Sequence, residues 1–130
     1  MLKSFYTLLC FVCAATASQA QIEKEVAPPY NIKTISFVQN GQNIVPIFQL
    51  GDSFQLQFDD LFGNEANYYY QIVHCDYDWK PSQLSINEYL QGFDNQRIQD
   101  YTNSYTTLQI YSHYKIQFPN KNTRLMVSGN

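Results

Sequence analysis

The stretch FQLQF, residues 54–58, carries the clearest structural signal in the sequence. Its apolar residues Phe54, Leu56 and Phe58 alternate with two glutamines. Successive side chains of a β-strand point to opposite faces of a sheet, so this alternation predicts a strand with one face towards the core. We therefore expect Leu56, in the middle of the strand, to be a core residue.

The same alternation recurs on both sides of this strand, at intervals of roughly 8–12 residues. The first segment places Ile35 and Phe37 on one face, and Asn40-Gly41 then provides a turn. Pro46 lacks the amide hydrogen that a sheet ladder needs, so the next segment is expected to be an edge or irregular strand. The predicted strands are residues 32–38, 44–50, 54–58, 68–78, 93–98, 105–110, 114–118 and 124–127.

Many short strands with little helix predict an all-β fold, an antiparallel β-sandwich of immunoglobulin-like size. The Cys…Trp…Cys pattern of true immunoglobulin domains is absent, so the prediction concerns the architecture alone. One short helical turn is expected where Ser85 and Glu88 have the spacing of a capping box. The side chains expected in the core are Phe37, Phe54, Leu56, Phe58, Ile72, Ile116 and Phe118.

The first twenty residues differ in character from the rest of the chain. Lys3 precedes an uncharged, mostly apolar run at residues 5–17. Ser18-Gln19-Ala20 then places small residues at the two positions that signal peptidase reads. The run is shorter than the roughly 20 apolar residues that a membrane-spanning helix needs. This layout predicts a cleaved secretory signal peptide at residues 1–20.

Residues 21–130 are then expected to form the β-sandwich domain. Of the three cysteines, only Cys75 lies in this part of the sequence, so no internal disulfide is expected. Residues 127–130 lead from a predicted strand into a turn signal, which would leave an unpaired sheet edge. We therefore expect the domain to be the N-terminal part of a longer protein.

The charge of the predicted mature chain limits the classes of partner. Loss of Lys3 leaves seven basic residues against the eleven acidic ones, a net charge of −4. The sequence contains no run of lysine or arginine that would neutralise phosphates, so nucleic acid is not expected as a partner. Tyrosine is abundant, and a surface rich in tyrosine and poor in lysine suits contacts with other proteins or with sugars.

Residues 68–81, YYYQIVHCDYDWKP, have the most unusual composition of the chain. On a continuous strand His74, Asp76 and Asp78 would share one face at steps of about 6.6–6.8 Å, which is one arrangement of metal ligands. No second cluster of ligand residues lies near them in the sequence, so no metal site is predicted. Cys75 would face the other way and is expected to be a small buried apolar residue.

The aromatic residues of this stretch leave two further interpretations open. Tyr69, Tyr70, Tyr77 and Trp79 suit a stacking platform for sugars, and they equally suit a sandwich core that Trp79 closes at one end. The sequence has no Gly-x-Ser-x-Gly, no phosphate-binding glycine loop and no His-Glu-x-x-His. No catalytic residue is therefore predicted.

Long strings of the sequence resemble one particular family. These strings are PPYNIKTISF, FDDL, YYYQIVHCDYDWKPSQLSINEYLQGFDNQRI and SYTTLQIYSHYKIQFPN. They are similar to the N-terminal domain of the plug protein of the type IX secretion system of Bacteroidetes, over nearly all of the predicted mature chain. The resemblance implies a periplasmic, non-enzymatic protein associated with the outer membrane. It would close the outer-membrane translocon barrel from the periplasmic side when no substrate is in transit.

The same resemblance implies no cofactor, no small-molecule ligand and no membrane-spanning segment in the chain itself. It favours a third interpretation of the unusual stretch, as a strand and loop that shape the domain and contact a partner protein. The alternative function is a secreted carbohydrate-binding β-sandwich module that binds glycans through Tyr77 and Trp79. The candidate partner-contact residues are Tyr69, Tyr70, His74, Asp76, Tyr77, Asp78 and Trp79.

The predicted signal peptide gives a direct test by intact mass spectrometry of the exported protein. Cleavage after Ala20 should leave a mature chain that begins at Gln21 and carries no lipid. A mature protein that retains Cys10 or Cys13, or whose mass includes an acyl group, would contradict the prediction.

Overall fold

The computed structural model describes residues 24–130, which form an all-β, antiparallel fold with one short helix. The predicted signal peptide, residues 1–20, lies outside the described residues. The elements are β1 (Ile32–Gln39), β2 (Gln42–Ile44), β3 (Phe54–Asp60), β4 (Tyr69–Gln71), α1 (Ile86–Tyr89), β5 (Leu90–Gly92), β6 (Asn95–Arg97), β7 (Asp100–Asn103), β8 (Ser112–Phe118) and β9 (Thr123–Leu125).

The strands form one broad sheet and two narrow ribbons. The broad sheet has the order β2-β1-β3-β8-β7 with every neighbouring pair antiparallel, and the ribbons are β4-β6 and β5-β9. The strand predicted from FQLQF is the central strand β3. Tyr68, just before β4, and Tyr70, within it, pack against the inner face of the broad sheet. The predicted antiparallel β-sandwich is therefore confirmed, with one of its two layers divided.

The inner face of the broad sheet is largely aromatic. The register of β3 against β8 sets Phe54 opposite Phe118, and Phe58 opposite Tyr114. The Phe58 and Tyr114 rings stack at 5.3 Å, and Tyr114 is fully buried. Of the predicted core side chains Phe58 and Phe118 are buried, and the others are half-buried, namely Phe37, Phe54, Leu56, Ile72 and Ile116.

A bulge in β1 changes which of its residues face the core. The register against β3 shifts between Lys33 and Ser36, where Thr34 has a φ of 56°. The bulge lets Ile32 and Phe37, an odd number of residues apart, both face inward, because an extra residue reverses the alternation. Ile35 is exposed instead of packing beside Phe37, so that part of the prediction is wrong.

Two short elements agree with the local sequence signals. Strand β2 lies at an edge of the broad sheet and ends at Ile44, just before Pro46, so the predicted strand 44–50 is irregular beyond its first residue. Helix α1 begins after Ser85, whose amide donates to the Glu88 carboxylate at 2.7 Å in the predicted capping box. No helix among residues 24–130 is long and apolar enough to cross a membrane.

One predicted strand is too long, and another is wrong. The strand predicted at 68–78 ends at Gln71, because the chain beyond it forms a turn that is described with the functional site. The strand predicted at 105–110 is a loop, and the ladder with β8 is formed by β7 just before it. Ser104 and Tyr111 close this loop, since the Ser104 amide donates to the Tyr111 carbonyl at 2.8 Å.

Asp60, at the end of β3, is fully buried and joins three segments of the chain. Its Oδ1 accepts hydrogen bonds from Asn31 Nδ2 at 2.8 Å and from the Phe62 amide at 3.0 Å. Its Oδ2 accepts a hydrogen bond from the Tyr68 hydroxyl at 2.9 Å. These donors supply the compensation that a buried carboxylate needs.

The protonation of this cluster follows from its burial and its hydrogen bonds. Desolvation acts to raise the pKa of Asp60, but the bonds from Asn31, the Phe62 amide and Tyr68 outweigh it and lower that pKa. For Tyr68, desolvation and the hydrogen bond to Asp60 act together and raise the pKa from 10.0 to about 12. The folded state therefore holds an ionised Asp60 beside a neutral Tyr68 at neutral pH.

Leu56→Ala tests the placement of the central strand. Leu56 lies between Phe37 and Ile116 on the inner face, so truncation should lower the free energy of unfolding by about 2 kcal/mol, because it removes packed methyl groups. Gln55→Ala, on the outer face of the same strand, should change it by less than about 0.5 kcal/mol. Equal effects in urea denaturation would show that the strand faces are wrongly assigned.

The cluster around Asp60 predicts a pH-dependent stability. Because the fold raises the pKa of Tyr68, this tyrosine stabilises the folded state fully below pH 10.0. Its contribution to stability is lost as the pH rises towards about 12. A lowered aspartate pKa gives stability that is lost as the pH falls through the pKa of the folded state. Tyr68→Phe should therefore lower the free energy of unfolding by about 1–3 kcal/mol at pH 7, because the hydrogen bond to Asp60 is lost.

Urea denaturation of wild type and Tyr68→Phe across the pH range provides the measurement. The difference between the two proteins should shrink between pH 10 and 12, because Tyr68 ionises there in the unfolded wild-type protein while the fold keeps it neutral. Tyr77→Phe is the matched control, since Tyr77 is exposed, and it should follow the wild type throughout. A constant difference between wild type and Tyr68→Phe up to pH 12 would contradict the assignment.

Candidate partner-contact surface

Residues 75–81 form a tight turn in place of the predicted strand. Cys75 and Pro81 make an antiparallel bridge, and the Asp76 amide donates to the Lys80 carbonyl at 2.9 Å. Asp76 Oδ1 also accepts hydrogen bonds from the amides of Asp78 at 2.9 Å and Lys80 at 3.0 Å. An aspartate side chain that bonds to nearby amides competes with the sheet ladder and favours a turn. Asp76 therefore organises this turn.

The turn presents two aromatic side chains to solvent. Tyr77 is 87% exposed and Trp79 is 55% exposed, with the exposed Asp78 between them. Trp79 has a φ of 59°, a left-handed backbone conformation that the hydrogen bonds of the turn hold in place. We call Tyr77, Asp78 and Trp79 the aromatic tip. Its backbone is fixed, so its rings are available for contact at a small cost in conformational entropy.

His74 connects this turn to the segment that follows β9. Its Nδ1 lies 2.7 Å from Ser82 Oγ, and its Nε2 donates to the Ser128 carbonyl at 3.1 Å. The imidazole also packs against the Tyr89 ring at 5.6 Å. A Cβ at Gly129 would overlap the imidazole, so only glycine allows this close approach. His74 is a structural residue in this position.

Cys75 is buried, as predicted, and its backbone pairs with the same segment. The Cys75 amide donates to the Asn130 carbonyl at 2.8 Å, and the Asn130 amide donates back at 3.1 Å. The Asn130 side chain also donates to the Asp76 carbonyl at 2.8 Å. Hydrogen bonds to residues 128–130 thus hold the turn in place.

Strand β4 divides the two remaining candidate residues between its faces. Tyr69 is 64% exposed, whereas Tyr70 is half-buried. The Tyr70 ring meets Phe118 edge-on at 5.3 Å, and its hydroxyl lies 2.6 Å from Thr123 Oγ1. Of the candidate residues, Tyr69 and the aromatic tip are open to a partner, while Tyr70, His74 and Asp76 are engaged by the fold.

The arrangement of His74, Asp76 and Asp78 differs from the one that the interpretation as a metal site assumed. The premise of one shared strand face is wrong, because the strand ends at Gln71 and Asp76 directs its carboxylate into the turn. Between residues 24 and 130, no three His, Cys, Asp or Glu side chains come together as metal ligands. The other histidine among these residues, His113, lies opposite Asp59 in the β3–β8 register, with its Nδ1 2.7 Å from the Asp59 Oδ1.

A second exposed apolar region was not predicted from the sequence. Residues 104–111, which we call the apical loop, expose Tyr105, Leu108 and Ile110 and contain no charged residue. Gln109 holds the loop against the neighbouring β3–β4 connection by donating to the Leu61 carbonyl at 3.0 Å. The alternation of these apolar residues predicted a strand. The preceding strand β7 pairs with β8 instead, and the sequence did not reveal this pairing.

The fold defines an antiparallel β-sandwich domain, in which a packed aromatic core supports exposed loops. The comparisons with known proteins identify the family to which this domain belongs. The chain belongs to the family described as Type 9 secretion system plug protein 1st domain, whose model matches residues 32–130. The family expected from the sequence strings is thereby confirmed.

The chain is also similar to a solved structure, that of a hypothetical protein from Parabacteroides merdae ATCC 43184. The two share 38% identity, and their structures superimpose with a TM-score of 0.71. The similarity covers 78% of this chain and 26% of the other, so this chain spans about a quarter of the length of that protein. No functionally curated protein matches the chain.

Proposed function

We propose that this domain is part of a non-enzymatic plug that closes the outer-membrane translocon barrel of the type IX secretion system from its periplasmic side. The observation that carries the proposal is the family match over residues 32–130. Export through the predicted signal peptide at residues 1–20 would deliver the protein to the periplasm. Binding to the barrel would then hold it at the outer membrane.

The packing of the domain suits a mechanical role. Among residues 24–130, no buried side-chain nitrogen or oxygen lacks a hydrogen-bond partner. Fully satisfied polar groups around an aromatic core make a body that resists local opening. Such a body can block a pore without any chemical step, and this supports a plug that works by occupying space.

The exposed candidate residues suit a contact that must form and release. The aromatic tip combines two rings with a carboxylate, and Lys80 lies 3.7 Å from Asp78 beside it. Interfaces that open and close are more polar than permanent ones, and tyrosine and tryptophan often supply most of their binding energy. We assign the barrel contact to Tyr69 and the aromatic tip, with Asp76 and His74 holding the tip in place.

The second candidate function is glycan binding, which the exposure of Tyr77 and Trp79 favours. Exposed rings on a rigid turn can stack against sugar faces. The two functions differ in a simple binding test. A glycan module should retain polysaccharides on an affinity gel, whereas a plug subunit should co-purify with an outer-membrane barrel and bind no glycan.

Deletion of the gene provides the main test of the plug function. Without the plug, large antibiotics and dyes should cross the outer membrane more readily, because the barrel stays open. Deletion of the barrel as well should restore the permeability barrier, since no pore remains to be closed. A single-deletion strain that keeps its barrier while the barrel is present would contradict the proposal.

Variants of the aromatic tip test the assigned contact separately from the plug function. Tyr77→Ala combined with Trp79→Ala should weaken binding to the barrel by about 2 kcal/mol or more, roughly 30-fold in affinity. It should also fail to rescue the deletion strain. Tyr105→Ala removes an equally exposed tyrosine from the apical loop and should rescue fully. Rescue by the tip variant would place the contact elsewhere and leave the plug function standing.

A further inference from the structure

One end of the sandwich carries a groove with a volume of about 280 Å³, lined by both apolar and polar residues. Its floor contains a row of phenylalanine rings, with Phe48 stacked on Phe54 at 3.8 Å and Phe54 on Phe118 at 5.3 Å. Ile47 and Leu50 line one side, and residues 123–125 and 127–130 line the other. We call this feature the terminal groove, because the last residues of the domain form part of its wall.

The exposed side chains of the terminal groove stand on a fixed backbone. Phe48 anchors the segment after β2, since its ring packs on both Phe54 and Phe37. The Asp52 amide donates to the Gln49 carbonyl at 2.9 Å, and the Gln49 amide donates to the Asp52 carboxylate at 3.0 Å. Ile47 is nonetheless 83% exposed, and Leu50 is also exposed. A well-ordered segment that directs apolar side chains into solvent is typical of a surface that another body covers.

The shape of the terminal groove favours protein side chains over a small ligand. Pockets for small molecules usually have volumes of roughly 300–1,000 Å³ and enclose most of the ligand. This groove, at about 280 Å³, is at the lower end of that range. Its phenylalanine floor, edged by polar residues such as Asp52 and Arg124, matches the apolar centre and polar rim of an interface between two protein surfaces.

The position of the groove identifies the protein that would cover it. The family is defined as a 1st domain, and the chain spans about a quarter of the length of the similar Parabacteroides merdae protein. The model of the 1st domain matches as far as residue 130, so in a longer protein a second domain would follow the residues that form one wall of the groove. Tethering by a short connection gives an effective concentration in the millimolar range, so even a modest apolar contact would be occupied.

We infer that the terminal groove is the docking surface for the second domain of the full-length protein. Apolar side chains of that domain cover Ile47 and Leu50 and reach the Phe48 ring. The inference rests on family membership and on the groove, and it holds whether or not the protein closes a translocon barrel.

The apical loop offers a matched control, because it is also apolar and lies at the opposite end of the broad sheet. Strand β3 runs from Phe54 at the groove to Asp60 at the apical end, a distance of about 20 Å at 3.3 Å per residue. Leu108 in this loop is at least as exposed as Ile47. A second domain docked in the groove would therefore leave Leu108 open.

Photo-crosslinking of the full-length protein tests the inference. The photoreactive residue p-benzoylphenylalanine replaces Ile47 in one variant and Leu108 in the control, and the irradiated monomer is digested for mass spectrometry. From position 47 we expect crosslinks within one molecule to peptides beyond residue 130, and from position 108 none. Crosslinks from position 47 that stay within residues 24–130, or that join two molecules, would overturn the inference.

Limited proteolysis supplies a second readout that does not depend on crosslinking chemistry. Ile47→Asp in the full-length protein should release the second domain and speed cleavage of the connection after residue 130 several-fold. Leu108→Asp should leave the cleavage rate unchanged. Both side chains are exposed in the first domain, so neither change should unfold it. Equal cleavage rates in wild type and Ile47→Asp would overturn the assignment.

Discussion

The buried carboxylate of Asp60 is the constraint on which the arrangement of the domain depends. An ionised group cannot be buried at tolerable cost unless hydrogen bonds replace its water. Asp60 takes those bonds from Asn31 before β1, from the Phe62 amide after β3 and from Tyr68 before β4. The three segments are therefore fixed relative to one another. Tyr68 then meets Tyr114 edge-on at 4.8 Å, which brings β4 onto the broad sheet.

A second aspartate shapes the surface in the same way. Asp76 accepts the amides of Asp78 and Lys80 and so converts an apparent strand into a turn that displays two aromatic rings. In both places a carboxylate fixes the path of the backbone through the hydrogen bonds that it accepts. Within residues 24–130, neither carboxylate is part of a group of three His, Cys, Asp or Glu side chains that could hold a metal ion.

The sequence revealed those parts of the fold that depend on local signals. The alternation at residues 54–58 identified β3, Pro46 marked the edge strand, and Ser85 with Glu88 marked the helical turn. The strings shared with the plug family identified the family itself.

The errors arose where side-chain hydrogen bonds or partners distant in the sequence, rather than alternation, determine the path of the chain. Alternation continued through the stretch around Asp76, but the side chain of that residue ends the strand. The burial of Asp60 depends on Asn31 and Tyr68, whose proximity only the folded chain shows. For the same reason, the sequence could not separate the candidate contact residues that solvent reaches, such as Trp79, from those that the fold engages, such as Tyr70.

The central claim is that this domain occupies the periplasmic mouth of a translocon barrel and contacts it through the aromatic tip. The most direct measurement is an electron cryo-microscopy reconstruction of the barrel purified with the full-length protein bound. The account predicts density for this sandwich at the periplasmic mouth, with Tyr77 and Trp79 against the barrel and the channel closed. A reconstruction in which the protein is bound but the channel beneath it stays open, or in which the sandwich lies away from the mouth, would contradict it.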